Sequence, residues 1–103
     1  MCARVEFNGS SALLSGDLLF GTILSVRAEL EGFVDRAEKP IVIDFIRVSR
    51  VDSSAVSLWL CLQRRSKSRK VQLTARNVPA ELSSIARLAG LDSLGLNESS
   101  GGL

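Results

Sequence analysis

The sequence predicts one α/β domain on a mixed β-sheet, with the order β-β-α-β-α-β-α. Three observations predict it. The chain opens with a strand-like alternation and a turn signal. A nearly continuous β-branched run lies near its centre. Segments of helical periodicity separate the later strands. At 103 residues it has room for one core and not for two.

Ala3-Arg4-Val5-Glu6-Phe7 alternates apolar and charged residues as a half-buried strand does. Asn8-Gly9 follows, a pair that tolerates positive φ and closes hairpins. Ala12-Leu13-Leu14-Ser15 returns as a second strand, ended by Gly16-Asp17. Leu19, Ile23, Val26, Leu30 and Phe33/Val34 then recur at three- and four-residue steps, one face of a helix. Arg27, Glu29, Glu31 and Arg36 fall mostly on the other face. Gly32 weakens the end of this helix and Glu38-Lys39-Pro40 stops it.

Ile41-Val42-Ile43-Asp44-Phe45 suits a central strand. A loop is expected next, then a helix from Ala55 to about Ser66. Arg69 to Ala75 reads as another strand. Pro79-Ala80-Glu81-Leu82 opens a last helix, lined by Leu82, Ile85, Ala86 and Ala89, with Gly90 at its end. Parallel pairing is expected after the initial antiparallel hairpin. The domain is assigned to residues 1–96, and residues 97–103 read as a loose tail.

Composition narrows the chemistry. Histidine is absent, which removes the commonest general base and metal ligand. Cys2 and Cys61 form neither a disulfide framework nor a zinc spacing, and Cys61 reads as a small buried hydrophobe. No phosphate-binding Gly-x-x-x-x-Gly-Lys-Ser/Thr motif occurs. The acidic residues are scattered. These features argue against an enzyme, and no cofactor or metal is expected. A hydrolase or transferase using Ser53 or Ser54 lacks a visible base.

The formal charge of +2 does not suggest a nucleic-acid surface. Arg64, Arg65, Lys67, Arg69 and Lys70 form a basic cluster without interleaved aromatics. That favours a solvated helix end over single-strand binding. No apolar run is long enough to cross a membrane and no leader is recognisable, so a cytoplasmic location is expected.

The informative segment is Val48-Ser49-Arg50-Val51-Asp52-Ser53-Ser54. Asp52, Ser53 and Ser54 are all helix-capping residue types, and capping alone would account for them. The following stretch, Ala55 to Leu62, has Ser57 as its one polar residue. Helical spacing puts Val56, Trp59 and Leu60 on one face and Leu58 and Leu62 well away from it. A helix apolar around its circumference is either buried on all sides or offers a second face to a partner. The small size of the domain favours a partner.

An apolar strand, then Asp52-Ser53-Ser54, then an apolar helix, a strand and a Pro-started helix resembles the STAS family over roughly residues 3–95. The longer Val48-Ser49-Arg50-Val51-Asp52 stretch is similar to the small STAS subunit of Mla-type phospholipid ABC transporters. That resemblance implies a non-catalytic cytoplasmic subunit docked on the transporter's ATPase, reaching the membrane only through the complex. The implied partner-binding residues are Asp52, Ser53, Ser54, Leu58, Trp59 and Leu62. The alternative is an anti-sigma-factor antagonist, bound and phosphorylated by an anti-sigma-factor kinase. The phosphorylation candidates are Ser53 and Ser54, the latter matching the antagonists' position. Where those proteins usually carry Gly, this chain has Ala55. A phosphoryl group would add about −1.5 to −2 charge at pH 7 at a helix start that tolerates it, so the switch would act on binding and not on folding.

Overall fold

A computed structural model describes residues 3–88. Four strands form one sheet in the order β1-β2-β3-β4, with β1 Arg4–Asn8, β2 Ser11–Leu18, β3 Ile41–Val51 and β4 Leu73–Arg76. The helices are α1 Ile23–Arg36, α2 Ser53–Arg69 and α3 Ala80–Leu88. The element order is the expected one. β1 and β2 pair antiparallel, while β2–β3 and β3–β4 pair parallel. Ala89, Gly90 and the tail 97–103 lie outside the described residues, as does Cys2.

Several boundaries differ from expectation, and those at the ends of β2 and β3 share one reason. Gly16 does not end β2, which continues to Leu18; Gly16 takes φ +89° at a register shift against β3. β3 in turn runs on from Phe45 to Val51, so Val48-Ser49-Arg50-Val51 is strand and not loop. Leu13 and Ser15 face Asp44 and Arg47, and Gly16 and Asp17 face Val48 and Arg50, so β3 carries an extra residue at each shift. Such bulges disrupt strict alternation, which is why the pattern stops looking strand-like after Phe45. α2 starts two residues earlier than expected and runs on to Arg69, and β4 starts correspondingly later.

The core is made by Ala12, Leu14, Ile43 and Phe45 from the sheet, Val26, Leu30 and Val34 from α1, and much of α2. Phe45 and Trp59 meet edge to face with centroids 6.1 Å apart. Leu82 and Ala86 bring α3 onto the same core.

Because β2 and β3 are parallel, α1 must run back along the sheet between them, and α2 does the same between β3 and β4. Both helices therefore start at the end of the domain where β2 and β3 finish. The basic cluster of α2 lies at the opposite end. There Arg65 pairs with Asp35 at 2.8 Å and Glu31 at 3.5 Å, and Arg69 donates to the Ala37 carbonyl at 3.2 Å. These contacts tie α2 to α1, which gives part of the cluster a structural task.

Candidate functional site

The common start of α1 and α2 brings Asp52, Ser53 and Ser54 beside the turn from β2 into α1. Asp52 is the N-cap of α2. Its backbone is extended, and Oδ1 accepts from the Ser54 N–H at 2.9 Å and from the Ser54 hydroxyl. Its other oxygen, Oδ2, accepts from the backbone N–H of Phe20 at 3.0 Å. Asp52 N–H also donates to the Leu18 carbonyl at 3.3 Å. The Ser54 hydroxyl, followed by the Phe20 and Ser54 N–H groups, holds the Asp52 carboxyl below its ordinary range. The capping role is therefore present, and one carboxylate also spans two loops.

The turn that Asp52 grips is braced from within. Thr22 and Ile23 N–H groups both donate to the Leu19 carbonyl at 2.9 Å. The Thr22 hydroxyl donates to the Asp17 carbonyl at 2.6 Å and accepts from Leu19 N–H at 3.0 Å. Phe20 projects from this braced turn with 83% of its surface exposed, and Leu24, on the first turn of α1, is 72% exposed. Phe20, Leu24, Arg27, Ser53, Ser54 and Ser57 line one surface depression. Arg27 is engaged by Glu31 at 2.9 Å, which raises its pKa further. The result is an apolar projection edged by hydroxyls, beside an occupied helix cap.

The six residues expected at a partner surface separate into two groups. Asp52, Ser53 and Ser54 meet at this depression, with Ser53 exposed and Ser54 half-buried. Leu58 reaches the lining of the same depression, but Leu58, Trp59 and Leu62 do not form an outward face: they are 4%, 2% and 0% exposed. α2 packs against the sheet, α1 and α3, which covers most of its apolar circumference and leaves Leu60 and Cys61 partly exposed. The small size of the domain favoured a partner for Leu58, Trp59 and Leu62, but three helices share a single core and bury them. Cys61 is also corrected: it is partly exposed and lines a groove with Arg27, Arg64 and Arg65.

Phe20 and Leu24 were missed from the sequence. Leu24 sits one place off the buried Ile23–Val26–Leu30 stripe, and Phe20 lies in the short connection before α1. A large apolar residue off the stripe was the available signal. Among the described residues no group of His, Cys, Asp and Glu is placed to hold a metal ion, and no helix is long and apolar enough to cross a membrane.

The fold is shared with solved STAS structures. The anti-sigma-factor antagonist SpoIIAA in its unphosphorylated form superposes with a TM-score of 0.72 at 19% identity, covering 96% of this chain and 89% of that one. The phosphorylated form of the Bacillus SpoIIAA gives 0.68 at 19% identity, covering 96% and 92%. An anti-sigma-factor antagonist (STAS) domain protein from Planctomyces limnophilus gives 0.72 at 14% identity, covering 97% and 92%. These likenesses concern the fold. No curated protein matches the sequence significantly. The family model described as "Mlab, STAS domain" matches residues 4–97. The chain belongs to this STAS family.

Proposed function

We propose that the chain is a non-catalytic cytoplasmic STAS subunit that docks on, and supports, the ATPase of a phospholipid-transporting ABC system. The observation that carries this reading is the match of residues 4–97 to the Mlab-type STAS family. STAS domains are generally regulatory and binding domains, which interact with partner proteins such as kinases or transporters. The exposed Phe20 and Leu24 beside Ser53 supply an apolar surface for such an interaction. Contact with the membrane is then indirect, through the complex.

Co-expression with the ATPase subunit of the same organism's phospholipid transporter tests the reading. A complex that survives size-exclusion chromatography, with ATP hydrolysis lowered when the chain is omitted, is expected. Two separately eluting proteins with unchanged hydrolysis would overturn it.

The second reading is an anti-sigma-factor antagonist controlled by an anti-sigma-factor kinase. It is favoured by Ser54, which lies at the start of α2 with its hydroxyl on the Asp52 carboxylate. Mass spectrometry of the native chain, with and without phosphatase, separates the two readings. A phosphate on Ser54 together with capture of a serine kinase supports the antagonist. An unmodified chain in complex with the ATPase supports the transporter subunit.

A further inference from the structure

We propose that β1 is a self-association edge: a second copy of the chain extends the sheet by pairing its own β1 antiparallel with this one, in a register centred on Val5. β1 stands at one end of the strand order, and among the described residues nothing pairs with its outer side. A strand edge left open in this way is a template for another strand. The occupant is selected by the charge pattern Arg4-Val5-Glu6, which is complementary to itself when read in the opposite direction.

The faces and backbone groups of β1 follow from its pairing with β2. Val5 pairs with Leu14 and Phe7 with Ala12, both buried in the core, so Val5 and Phe7 point to the helices. Arg4 and Glu6 point to the opposite face and are exposed. The hairpin closes through Gly9 and Ser10 alone, so Asn8 and Ser11 are a hydrogen-bonded pair. Alternation then makes Glu6–Leu13 and Arg4–Ser15 hydrogen-bonded pairs, and turns the N–H and C=O groups of Val5 and Phe7 outward to the free edge.

Those outward groups and the charges together fix the register of a symmetric pair. Centring on Val5 makes it a hydrogen-bonded pair with Val5 of the second copy, and sets Ala3 opposite Phe7 on either side. Arg4 then lies directly opposite Glu6 of the second copy, and the two-fold symmetry repeats the pair. Both pairs fall at non-hydrogen-bonded positions, where facing side chains come closest. Centring on Arg4 or Glu6 would set like charges face to face, and centring on Phe7 would set Glu6 against Asn8 and Arg4 against Ser10. Among the centres from Arg4 to Phe7, Val5 alone gives both charges their opposites. Within the chain Glu6 is approached by Arg47 at 3.9 Å with both side chains exposed, a pair loose enough to leave the carboxylate available. The pairing also covers part of Phe7, which is 44% exposed beside Phe33.

Analytical ultracentrifugation of the full chain from micromolar to millimolar concentration tests the assembly. The wild type is expected to pass from monomer to dimer across this range. Arg4→Glu or Glu6→Arg alone turns both cross-strand pairs into like charges, and is expected to raise the dimer dissociation constant about tenfold or more. The two reversals combined restore opposite charges, and are expected to return it to within about threefold of the wild type. Both side chains are exposed, and circular dichroism checks that each variant folds. A chain that stays monomeric throughout would overturn the proposal. So would a dimer that the single reversals leave intact, or one that the double reversal fails to restore.

Amide hydrogen exchange of the wild type tests the register. The N–H groups of Val5 and Phe7 face away from β2, so they are expected to exchange about tenfold or more slowly once the dimer forms than in dilute monomer. The N–H of Glu6 is paired with β2 in both states and should respond much less. Protection that rises with concentration at Val5 and Phe7 supports the β1 edge. A dimer without it has its interface elsewhere and overturns the proposal. Neither measurement involves the ATPase subunit, so the outcome is independent of the docking reading.

Discussion

The backbone N–H of Phe20 donates to Asp52 Oδ2 at 3.0 Å across 32 residues of chain. The contact joins the end of β2 to the end of β3 through a single carboxylate, which also caps α2 through Ser54. A loop, a cap and an exposed aromatic thus share contacts with one charged side chain.

That charge has a pH signature. Asp52 is held below its ordinary pKa in the folded chain, chiefly by the Ser54 hydroxyl. A depressed folded pKa adds stability above the unfolded value, near pH 4, and the gain is lost as pH falls through the folded value. Asp52→Asn is expected to be less stable than wild type by about 1 kcal/mol at pH 7. The gap should narrow in acid as pH falls through the folded value and both side chains become neutral. Urea midpoints of the two proteins at pH 7 and along an acid series check this. A gap that does not change with pH would mean that the charge contributes nothing.

Trp59 carries the opposite kind of expectation. It is 2% exposed and packs on Phe45 with ring centroids 6.1 Å apart. Trp59→Ala should cost about 3–5 kcal/mol through lost contacts and a cavity. That is a large share of the roughly 5–15 kcal/mol that holds a domain together. A charged residue at Leu58 or Trp59 should unfold the chain instead of detaching a partner selectively. Exposed Phe20→Ser should change stability by no more than about 0.5 kcal/mol. Denaturant unfolding of the two variants separates a core position from a surface one. A near-neutral Trp59→Ala would contradict the burial.

Much of the fold was legible because hydrophobic periodicity reports burial directly. Ile23, Val26, Leu30 and Val34 line the inner face of α1, as their spacing predicts, and Ile41, Ile43 and Phe45 do the same in β3. The capping chemistry of Asp52 was also readable, since residue type and position suffice for it. The partner of Phe20 was not, because a hydrogen bond across 32 residues leaves no local pattern. The burial of Leu58, Trp59 and Leu62 was misjudged for a related reason. Whether an all-round apolar helix is enclosed depends on where α1 and α3 lie, and composition does not supply that. The bulges of β3 broke the two-residue alternation, so a strand looked like a loop.

Gly16 controls one of those bulges. Its φ of +89° lies where residues with a Cβ are strained, at the register shift between Gly16 and Asp17. Gly16→Ala is expected to cost about 1 kcal/mol or more. For a domain of this size that is a fall of roughly 4–8 °C in Tm. Since Asp17 and Leu18 pair with Arg50 and Val51 immediately before Asp52, the Phe20 amide should also shift in an NMR spectrum. An unchanged Tm would show that β2 accommodates the side chain by altering its register.

Ser53 and Ser54 are adjacent, but negative charge should affect them differently. Ser53 is exposed at the first position of α2, where an added anion meets the positive end of the helix and gains about 0.3–1 kcal/mol. Ser54 starts from the same advantage, but its hydroxyl donates to Asp52 Oδ1. Ser54→Asp replaces that donor with a second carboxylate beside the first, so repulsion is added as a hydrogen bond is lost. Ser53→Asp should be neutral or slightly stabilising, and Ser54→Asp destabilising by about 1 kcal/mol. A phosphoryl group at Ser54 carries more charge and should loosen the grip of Asp52 on Phe20 further. Urea unfolding of the two variants, with the Phe20 amide as a local probe, measures both effects. Equal stability and an unmoved Phe20 amide would show that the Asp52 carboxylate turns away at no cost, and that charge at Ser54 stays local.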